Sequence, residues 1–274
     1  MKILVTGKGG KSGSWQMRGE QLGAALGADI KPMTGPTDHD VTVVVKRTPP
    51  EVIAKLNGRK WAWDIVDAFP QPVAYRWDKA DAVAWVRSKI KALSATAIIW
   101  PNQRMRDDCD TGLPGLVLPH HHRIGIKANP IREKVSKVGY EGSPAYLGKW
   151  TDMVNEECKK RGCEFVVNPS SLSDLDIVVA FRDNPGYVGR HWKSAIKLQN
   201  AHASGTPFVG SPETGYLENA SGAEYWAETP AQLAMSFDWL VDQGARETIS
   251  DRFIQKRFPV EHAAVMLKDF LRGL

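Results

Sequence analysis

The sequence predicts an α/β fold, and three observations carry that prediction. An apolar run at 2–6 ends in a loop holding Gly7, Gly9, Gly10 and Gly13 and leads into a helical pattern. The same order of apolar run, glycine loop and helix returns at 133–161, with Gly139 and Gly142 in the loop. Between 176 and 218, strand, helix, strand and helix follow one another directly, an alternation that builds a parallel sheet covered by helices. The 274 residues suffice for two small α/β domains or one large one.

The elements follow in chain order. Residues 41–45 (VTVVV) are apolar enough for a buried strand and are followed by Lys46 and Arg47. Pro49 and Pro50 open a helix that ends near Asn57 and Gly58. Residues 60–63 form a short strand that runs into 64–71. Asp64 stands at the strand end with Asp67 three residues on, a spacing that a helical turn sets on one side. The purely structural alternative for this pair is a helix N-cap and a first-turn acid. Residues 78–93 form an amphipathic helix with Ala82, Trp85, Val86, Ile90 and Leu93 on its apolar side. Strands at 97–100 and 115–118 close this half, the second ending on His120, His121 and His122. Three consecutive residues on an extended chain point alternately away, so this run is not read as a metal site. The polar stretch 125–133, containing Pro130, reads as a linker.

The second half opens with a strand at 133–138, a helix at 148–161 and strands at 164–167 and 176–181. A helix at 193–204 is ended by Gly205, and 208–210 is a short strand. Ser211, Pro212 and Glu213 read as an N-cap, a proline at the first helical position and a first-turn acid. A short strand at 223–226 and helices at 230–242, 246–257 and 260–271 complete the chain, Pro259 separating the last two.

Composition excludes several classes. A hydrophobic content of 42% and a charged content of 24% fit a soluble globular chain. No apolar run approaches the roughly 20 residues that span a bilayer, so no membrane partner is expected. The N-terminus reads as a first strand and not as a signal peptide. Cys109, Cys158 and Cys163 are scattered and form no CxxC, which argues against a disulfide framework or zinc site and for a reducing cytoplasm. Lys and Arg number 36 against 31 Asp and Glu, a net +5 that suits a polyanionic partner as well as a small-molecule enzyme. The 10 tryptophans are read as core packing, with stacking on sugars or bases the alternative.

Two stretches carry candidate chemistry. The first loop contains GKGGKS, which misses the G-x4-GK[ST] spacing of a P-loop but retains the strand, glycine loop and helix order of a phosphate cradle. Its candidate residues are Gly9, Gly10, Ser12, Gly13, Ser14 and Arg18, the last on one helical face with Trp15 and Leu22. A guanidinium there reaches a phosphate bidentately, or else lies at the surface. In an open sheet, ligands bind at the carboxyl ends of the strands. That places Arg182, Lys193 and Lys197 for an anion, and Glu213 and Glu218 for hydroxyls.

The string K-x3-KLxNAxAxGTPxV from Lys193, followed by E-x-GYLE from Glu213, resembles the donor-binding half of GT-B glycosyltransferases. Within that group it is most similar to phage-type enzymes that glycosylate modified bases in DNA. The resemblance implies two Rossmann-like domains facing across a cleft. Residues 1–126 would form the acceptor domain, 127–258 the nucleotide-sugar domain, and 259–274 a helix crossing back. It implies transfer of a sugar from a nucleotide-diphospho-sugar, UDP-glucose being the commonest donor, with no metal required. The implied acceptor is 5-hydroxymethylpyrimidine in double-stranded DNA, in the cytoplasm of a phage host, and the implied state is a monomer. A cell-wall glycan or small-molecule acceptor is the alternative within the class, and a non-catalytic nucleotide- or nucleic-acid-binding module the alternative outside it.

By the same resemblance Arg182 and one of Lys193 or Lys197 clamp the diphosphate, while Gly139, Tyr140, Gly142 and Asn200 lie about the donor. The chain departs from the family at one place. Retaining members carry two glutamates eight positions apart, where this chain has Trp192 and Asn200. Glu213 or Glu218 is then the acid left for the ribose. An acceptor hydroxyl must lose its proton as the new bond forms, and Asp64, Asp67 and His121 are the candidate bases.

Overall fold

The computed structural model describes residues 1–67 and 76–274. Residues 68–71, into which the sequence extends the segment after Asp64, lie outside the described residues. The chain gathers into two compact units. Unit 1 holds Met1–His121, Gly186–Ser194 and Pro259–Leu274, and unit 2 holds His122–Pro185 and Ala195–Phe258.

Unit 1 begins with β1 (Ile3–Gly7), a π-helical run at Trp15–Gln21 continued by α1 (Leu22–Leu26), and β2 (Asp29–Ile30). Then come β3 (Val41–Val45), α2 (Pro50–Ile53) with a 3-10 turn to Leu56, β4 (Trp61–Asp64), α3 (Lys79–Leu93), β5 (Ala97–Trp100), α4 (Gln103–Cys109) and β6 (Gly115–Val117). The strands are parallel in the order β2-β1-β3-β4-β5-β6. β1 and β3 are buried along their whole length, and so they read as continuous apolar runs. α3 starts where the Asp78 carboxylate accepts the Asp81 N–H at 2.9 Å.

Unit 2 holds β7 (Lys137–Tyr140), α5 (Trp150–Lys160), β8 (Glu164–Val167) and β9 (Ile177–Ala180). After β9 the chain enters α6 (Gly186–His191), which belongs to unit 1. Unit 2 resumes with α7 (Ile196–Ser204), β10 (Phe208–Gly210), α8 (Thr214–Leu217), β11 (Tyr225–Trp226), α9 (Pro230–Leu240) and α10 (Gln243–Lys256). The last helix, α11 (Val260–Arg272), packs on α1 in unit 1. The unit 2 sheet is parallel in the order β11-β10-β9-β7-β8. Both sheets therefore reverse direction beside their first strand, between β1 and β3 and between β7 and β9. Ligands bind outside the carboxyl ends of the strands at such a switch point.

Several boundaries differ from the sequence expectation for identifiable reasons. The strand expected at 133–138 runs instead from Lys137 to Tyr140. The N–H groups of Ser136 and Lys137 bond the buried Asp176 carboxylate at 2.7 and 2.9 Å, so a side chain sets where the strand begins. The sequence pattern does not predict α4; Asn102 caps it, its side chain accepting the Met105 N–H at 2.8 Å. The helix expected from Lys193 begins at Ile196. The Asn102 amide donates to the carbonyls of His191 and Lys193 at 3.0 and 3.1 Å, which takes those oxygens out of a helical ladder.

α6 is held in unit 1 by both packing and charge. Val188 and Trp192 are buried in the core that contains Trp61, Trp63 and Trp100. Asp108 accepts from the Tyr187 hydroxyl at 2.6 Å and Trp192 Nε1 at 2.9 Å, and pairs with Lys79 at 2.8 Å and Arg104 at 3.1 Å. In unit 2 an analogous buried clip joins α7 to the segment before β11. His202 Nε2 lies 2.8 Å from Glu224, and both side chains are fully buried. Glu224 also accepts from the Ser221 N–H at 2.8 Å. Glu224→Gln is expected to cost about 1.5–3 kcal/mol, the worth of a charge-assisted hydrogen bond. Urea unfolding with an unchanged m-value is the measurement; an unchanged midpoint would remove the clip.

Candidate functional site

The unit 2 switch point is built from the exits of β7, β8, β9 and β10. β7 ends on Tyr140, which is fully buried. Two residues on, Gly142 has φ +133°, and a Cβ there would lie 3.2 Å from the Tyr140 hydroxyl. The Gly142 N–H donates to Asn168 Oδ1 at 2.7 Å and its carbonyl accepts from Asn168 Nδ2 at 3.1 Å, pinning the loop after β7 to the residue after β8. Lys197, in the first turn of α7, sets its ammonium 4.7 Å from the centre of the Tyr140 ring, a cation–π geometry. After β9, Arg182 Nε donates to Glu213 Oε1 at 2.9 Å and Nη2 to Oε2 at 3.4 Å, with the guanidinium 5.5 Å from the Tyr146 ring centre. Both members of this pair are buried. Burial first, and then Glu213, pushes the Tyr216 phenol well above its ordinary value, so it stays protonated.

Glu213 is the N-cap residue of α8, which starts at Thr214 and so later than the sequence expectation. Its carboxylate is bound by Arg182, so Ser211 and Pro212 lie in the approach to the helix and not inside it. Asn200 is buried. Its Oδ1 accepts the Arg123 N–H at 3.0 Å and its Nδ2 donates to Glu141 at 3.1 Å, while Arg123 and Glu141 form an ion pair. Asn200 thus ties two loops of unit 2 together. Gly139 lies within β7, backed closely by Leu175. Glu218 is exposed at the end of α8.

The unit 1 switch point carries a pocket of about 280 Å³ lined by Lys8, Gly9, Lys11, Ser12, Ser14, Trp15, Val45, Lys46 and Arg47. Among the described residues, four cations and no carboxylate line it. Gly7 opens the loop at φ +154°, where a Cβ would lie 2.8 Å from the Val45 carbonyl, so β1 and β3 exit close together. Gly10 and Gly13 belong to the same loop but do not line the pocket.

Beneath the pocket the expected acid and base candidates separate. Val66 has φ +72°, so no helical turn joins Asp64 to Asp67, and the two carboxylates meet different partners. Asp64 is buried; Oδ1 accepts the Val66 N–H at 3.0 Å and Oδ2 lies 3.5 Å from Arg18 Nε. Burial raises the Asp64 carboxyl, with Arg18 opposing. The sequence leaves Arg18 either at a phosphate or at the surface. It is fully buried instead, facing Asp64 and donating to the Leu118 carbonyl at 2.5 Å.

Asp67 pairs with Lys46 at 2.5 Å and Lys193 at 2.9 Å. Burial works against its ionisation, but Lys193 and Lys46 outweigh it and hold the carboxyl well below the usual range. Lys193 therefore belongs to unit 1 as the counter-ion of Asp67, apart from the unit 2 residues with which the sequence groups it.

His121 is buried, with Nε2 3.1 Å from the Met17 carbonyl. His120 is also buried, and burial together with Arg18 keeps it neutral, well below its ordinary pKa. His122 belongs to unit 2, with Nδ1 2.9 Å from the Arg123 carbonyl. Among the described residues no three His, Cys, Asp or Glu side chains are placed to hold a metal ion.

Sequence reasoning missed Tyr146, Asn168, Glu141 and the cations Lys8, Lys11, Lys46 and Arg47 as site residues. Lys46, Arg47 and Asn168 each follow a strand directly, and that position was the available signal. Tyr146 had none.

No protein-family model and no curated protein matches the chain. Solved structures share its fold. HepE of Anabaena, solved in complex with UDP and with UDP and glucose, is 12% identical over the whole of both chains, with a TM-score of 0.68 in each case. Sucrose-phosphate synthase from Thermosynechococcus elongatus is 12% identical over 100% of this chain and 99% of its own, with a TM-score of 0.66. MurG of Acinetobacter baumannii is 11% identical over the whole of both chains, with a TM-score of 0.56. The likeness establishes the fold, and it is the α/β class of paired Rossmann-like domains that the sequence predicts.

Proposed function

We propose that the chain is a glycosyltransferase that takes a hexose from a nucleotide-diphospho-sugar bound at the β7–β9 switch point of unit 2. The observation that carries this reading is the set of cations held at those strand ends. Lys197 stands over Tyr140, and Arg182 is fixed by Glu213 beside Tyr146. When the bond from the anomeric carbon to the phosphate oxygen breaks, negative charge grows on the departing diphosphate. Cations already in place stabilise that charge without reorganisation. We assign this role to Lys197 and Arg182, which stand at the strand ends of unit 2, and not to Lys193, which belongs to unit 1. Glu213 positions Arg182. Glu218 is exposed and able to accept from ribose hydroxyls. The complexes of HepE with UDP and with UDP and glucose support UDP-glucose as the first donor to try.

For the acceptor we propose a hydroxymethylated pyrimidine in double-stranded DNA. The cationic pocket of unit 1 and the net +5 support a polyanion. Asp67 is half-buried, whereas Asp64 and His121 are fully buried, and its partner Lys46 lines the pocket. So acidic a carboxylate is an inefficient general base. We therefore assign Asp67 to anchoring Lys46 and Lys193, and Asp64 and His121 to the fold of unit 1.

The test is a transfer assay. DNA containing 5-hydroxymethylcytosine, with unmodified DNA beside it, is incubated with a panel of nucleotide sugars and the nucleosides are read by mass spectrometry. A hexose added only to the modified base is the expected result. Release of UDP without a DNA product would move the acceptor to a glycan or small molecule. Neither product nor hydrolysis would overturn the enzyme reading and leave a nucleotide-binding module.

A further inference from the structure

The loop after β7 carries an acid that the donor reading leaves without a role. Glu141 follows Tyr140 directly, at the carboxyl end of the strand, where ligands of open sheets bind. Its backbone is held on both sides, by the buried Tyr140 and by Gly142, which Asn168 pins. Its carboxylate is held as well. Oε2 accepts from Asn200 Nδ2 at 3.1 Å, and Oε1 accepts from Arg123 Nη2. Asn200 is itself buried, and its Oδ1 accepts the Arg123 N–H at 3.0 Å. Lys197 and Asn200 stand three residues apart on α7 and share a face of that helix. Lys197 meets Tyr140, and Asn200 meets Glu141. The carboxylate therefore lies roughly one helical turn along α7 from the cation assigned to the diphosphate.

We propose that Glu141 accepts hydrogen bonds from two neighbouring hydroxyls of the nucleotide sugar and so selects the donor. The inference rests on the donor reading above. A bare carboxylate beside a diphosphate would repel it; Arg123 compensates the charge of Glu141 and leaves its oxygens as acceptors. Each oxygen offers two acceptor positions, and the side chain keeps 14% of its surface open although it is gripped from two sides. The competing account is an ion pair that serves the fold alone. Arg123 is 49% exposed, and an ion pair so open to water adds little to stability. The other acids of this site are placed differently: Glu213 is bound by Arg182, and Glu218 is exposed at the end of α8. Glu141 is fixed in advance and still reachable, the state in which a carboxylate discriminates a hydroxyl from its absence. A nucleotide-hexose offers neighbouring hydroxyls on its ribose and on its hexose.

The experiment is calorimetry on the full chain with UDP-glucose, UDP and 2′-deoxy-UDP, for wild type and Glu141→Gln. The readout is a ratio of affinities. A loss of loop structure weakens all three ligands by one factor and leaves their ratios as they were. With the hexose hydroxyls as partners, Glu141→Gln lowers the ratio of UDP-glucose to UDP affinity about tenfold or more, the worth of a hydrogen bond to a charged group. With the ribose as partner, the ratio of UDP to 2′-deoxy-UDP affinity falls by that amount instead. Either fall supports the proposal and names the hydroxyls. Wild type that binds UDP, with both ratios unmoved in the variant, overturns the role of Glu141 and leaves the donor site standing. Wild type that binds none of the three ligands overturns the donor reading, and the role of Glu141 with it. Should Glu141→Gln lose its fold by circular dichroism, Glu141→Asp keeps the charge and draws the carboxylate back by one methylene. It is expected to lower the same ratio, and unmoved ratios there would overturn the proposal.

Discussion

Lys197→Ala is expected to lower sugar transfer about 10²–10³-fold, the usual cost of removing one fixed electrostatic partner of a developing anion, and to weaken UDP binding. The side chain leaves the first turn of α7 and sits over the Tyr140 ring, a cation–π contact that holds it in place. Lys193, only four residues earlier in sequence, gives the internal comparison. Its ammonium is 2.9 Å from Asp67 in unit 1. Lys193→Ala should therefore leave UDP affinity unchanged.

Arg182→Ala is a less clean probe. It strips Glu213 of its partner inside the protein, and an uncompensated buried charge costs about 3–5 kcal/mol of stability whatever the residue does in catalysis. Lys197→Arg keeps the charge but not the compact ammonium, and should recover part of the UDP affinity. Steady-state kcat and calorimetric UDP binding are the readouts. Unchanged values for both in Lys197→Ala would remove it from the donor site.

The fold was legible because its signals are local. VTVVV at 41–45 and IVVA at 177–180 are apolar runs buried on both faces, and Asp78 and Thr229 cap α3 and α9 from their own side chains. The strand ends were legible as well, and with them the residue types that stand there. What no local signal carries is pairing. Arg18 follows a glycine loop and looks available to a phosphate, yet it is buried against Asp64, 46 positions away. Arg182 and Glu213 both stand at strand ends in the sequence pattern, but that they neutralise one another depends on β9 and β10 being adjacent. The helix expected from Lys193 fails for a similar reason. Its first residues are claimed by Asn102, 91 positions earlier, and by the burial of Trp192 in the other unit's core. Helix propensity is worth tenths of a kcal/mol per residue, whereas burying a tryptophan is worth several, so the long-range packing decides.

Asp108→Ala is likewise expected to cost much stability, about 2–5 kcal/mol. The carboxylate is almost wholly buried and collects four donors. Lys79 and Arg104 are largely exposed and can be rehydrated when it is removed. The Tyr187 hydroxyl and Trp192 Nε1 are part-buried, and each polar group left without an acceptor there costs about 1–3 kcal/mol.

Asp108→Asn isolates the ionic share. Burial pushes the Asp108 carboxyl up, but hydrogen bonds from Lys79, Tyr187, Trp192 and Arg104 hold it at about 2. A carboxyl lowered in the folded state binds its proton more weakly there than in the unfolded chain, where its pKa is about 4. Its contribution is therefore present in full above that value and is lost as pH falls towards 2. The depression corresponds to roughly 1–3 kcal/mol. Urea unfolding should thus find Asp108→Asn less stable than wild type at pH 7, with the gap closing below pH 4. Hydrogen exchange at pH 7 should show the amides of α6 losing protection before those of α3. Equal stability of the two proteins at pH 7 would mean that α6 is held by the packing of Val188 and Trp192 alone. The helix would then stay in unit 1 whether or not the carboxylate is charged.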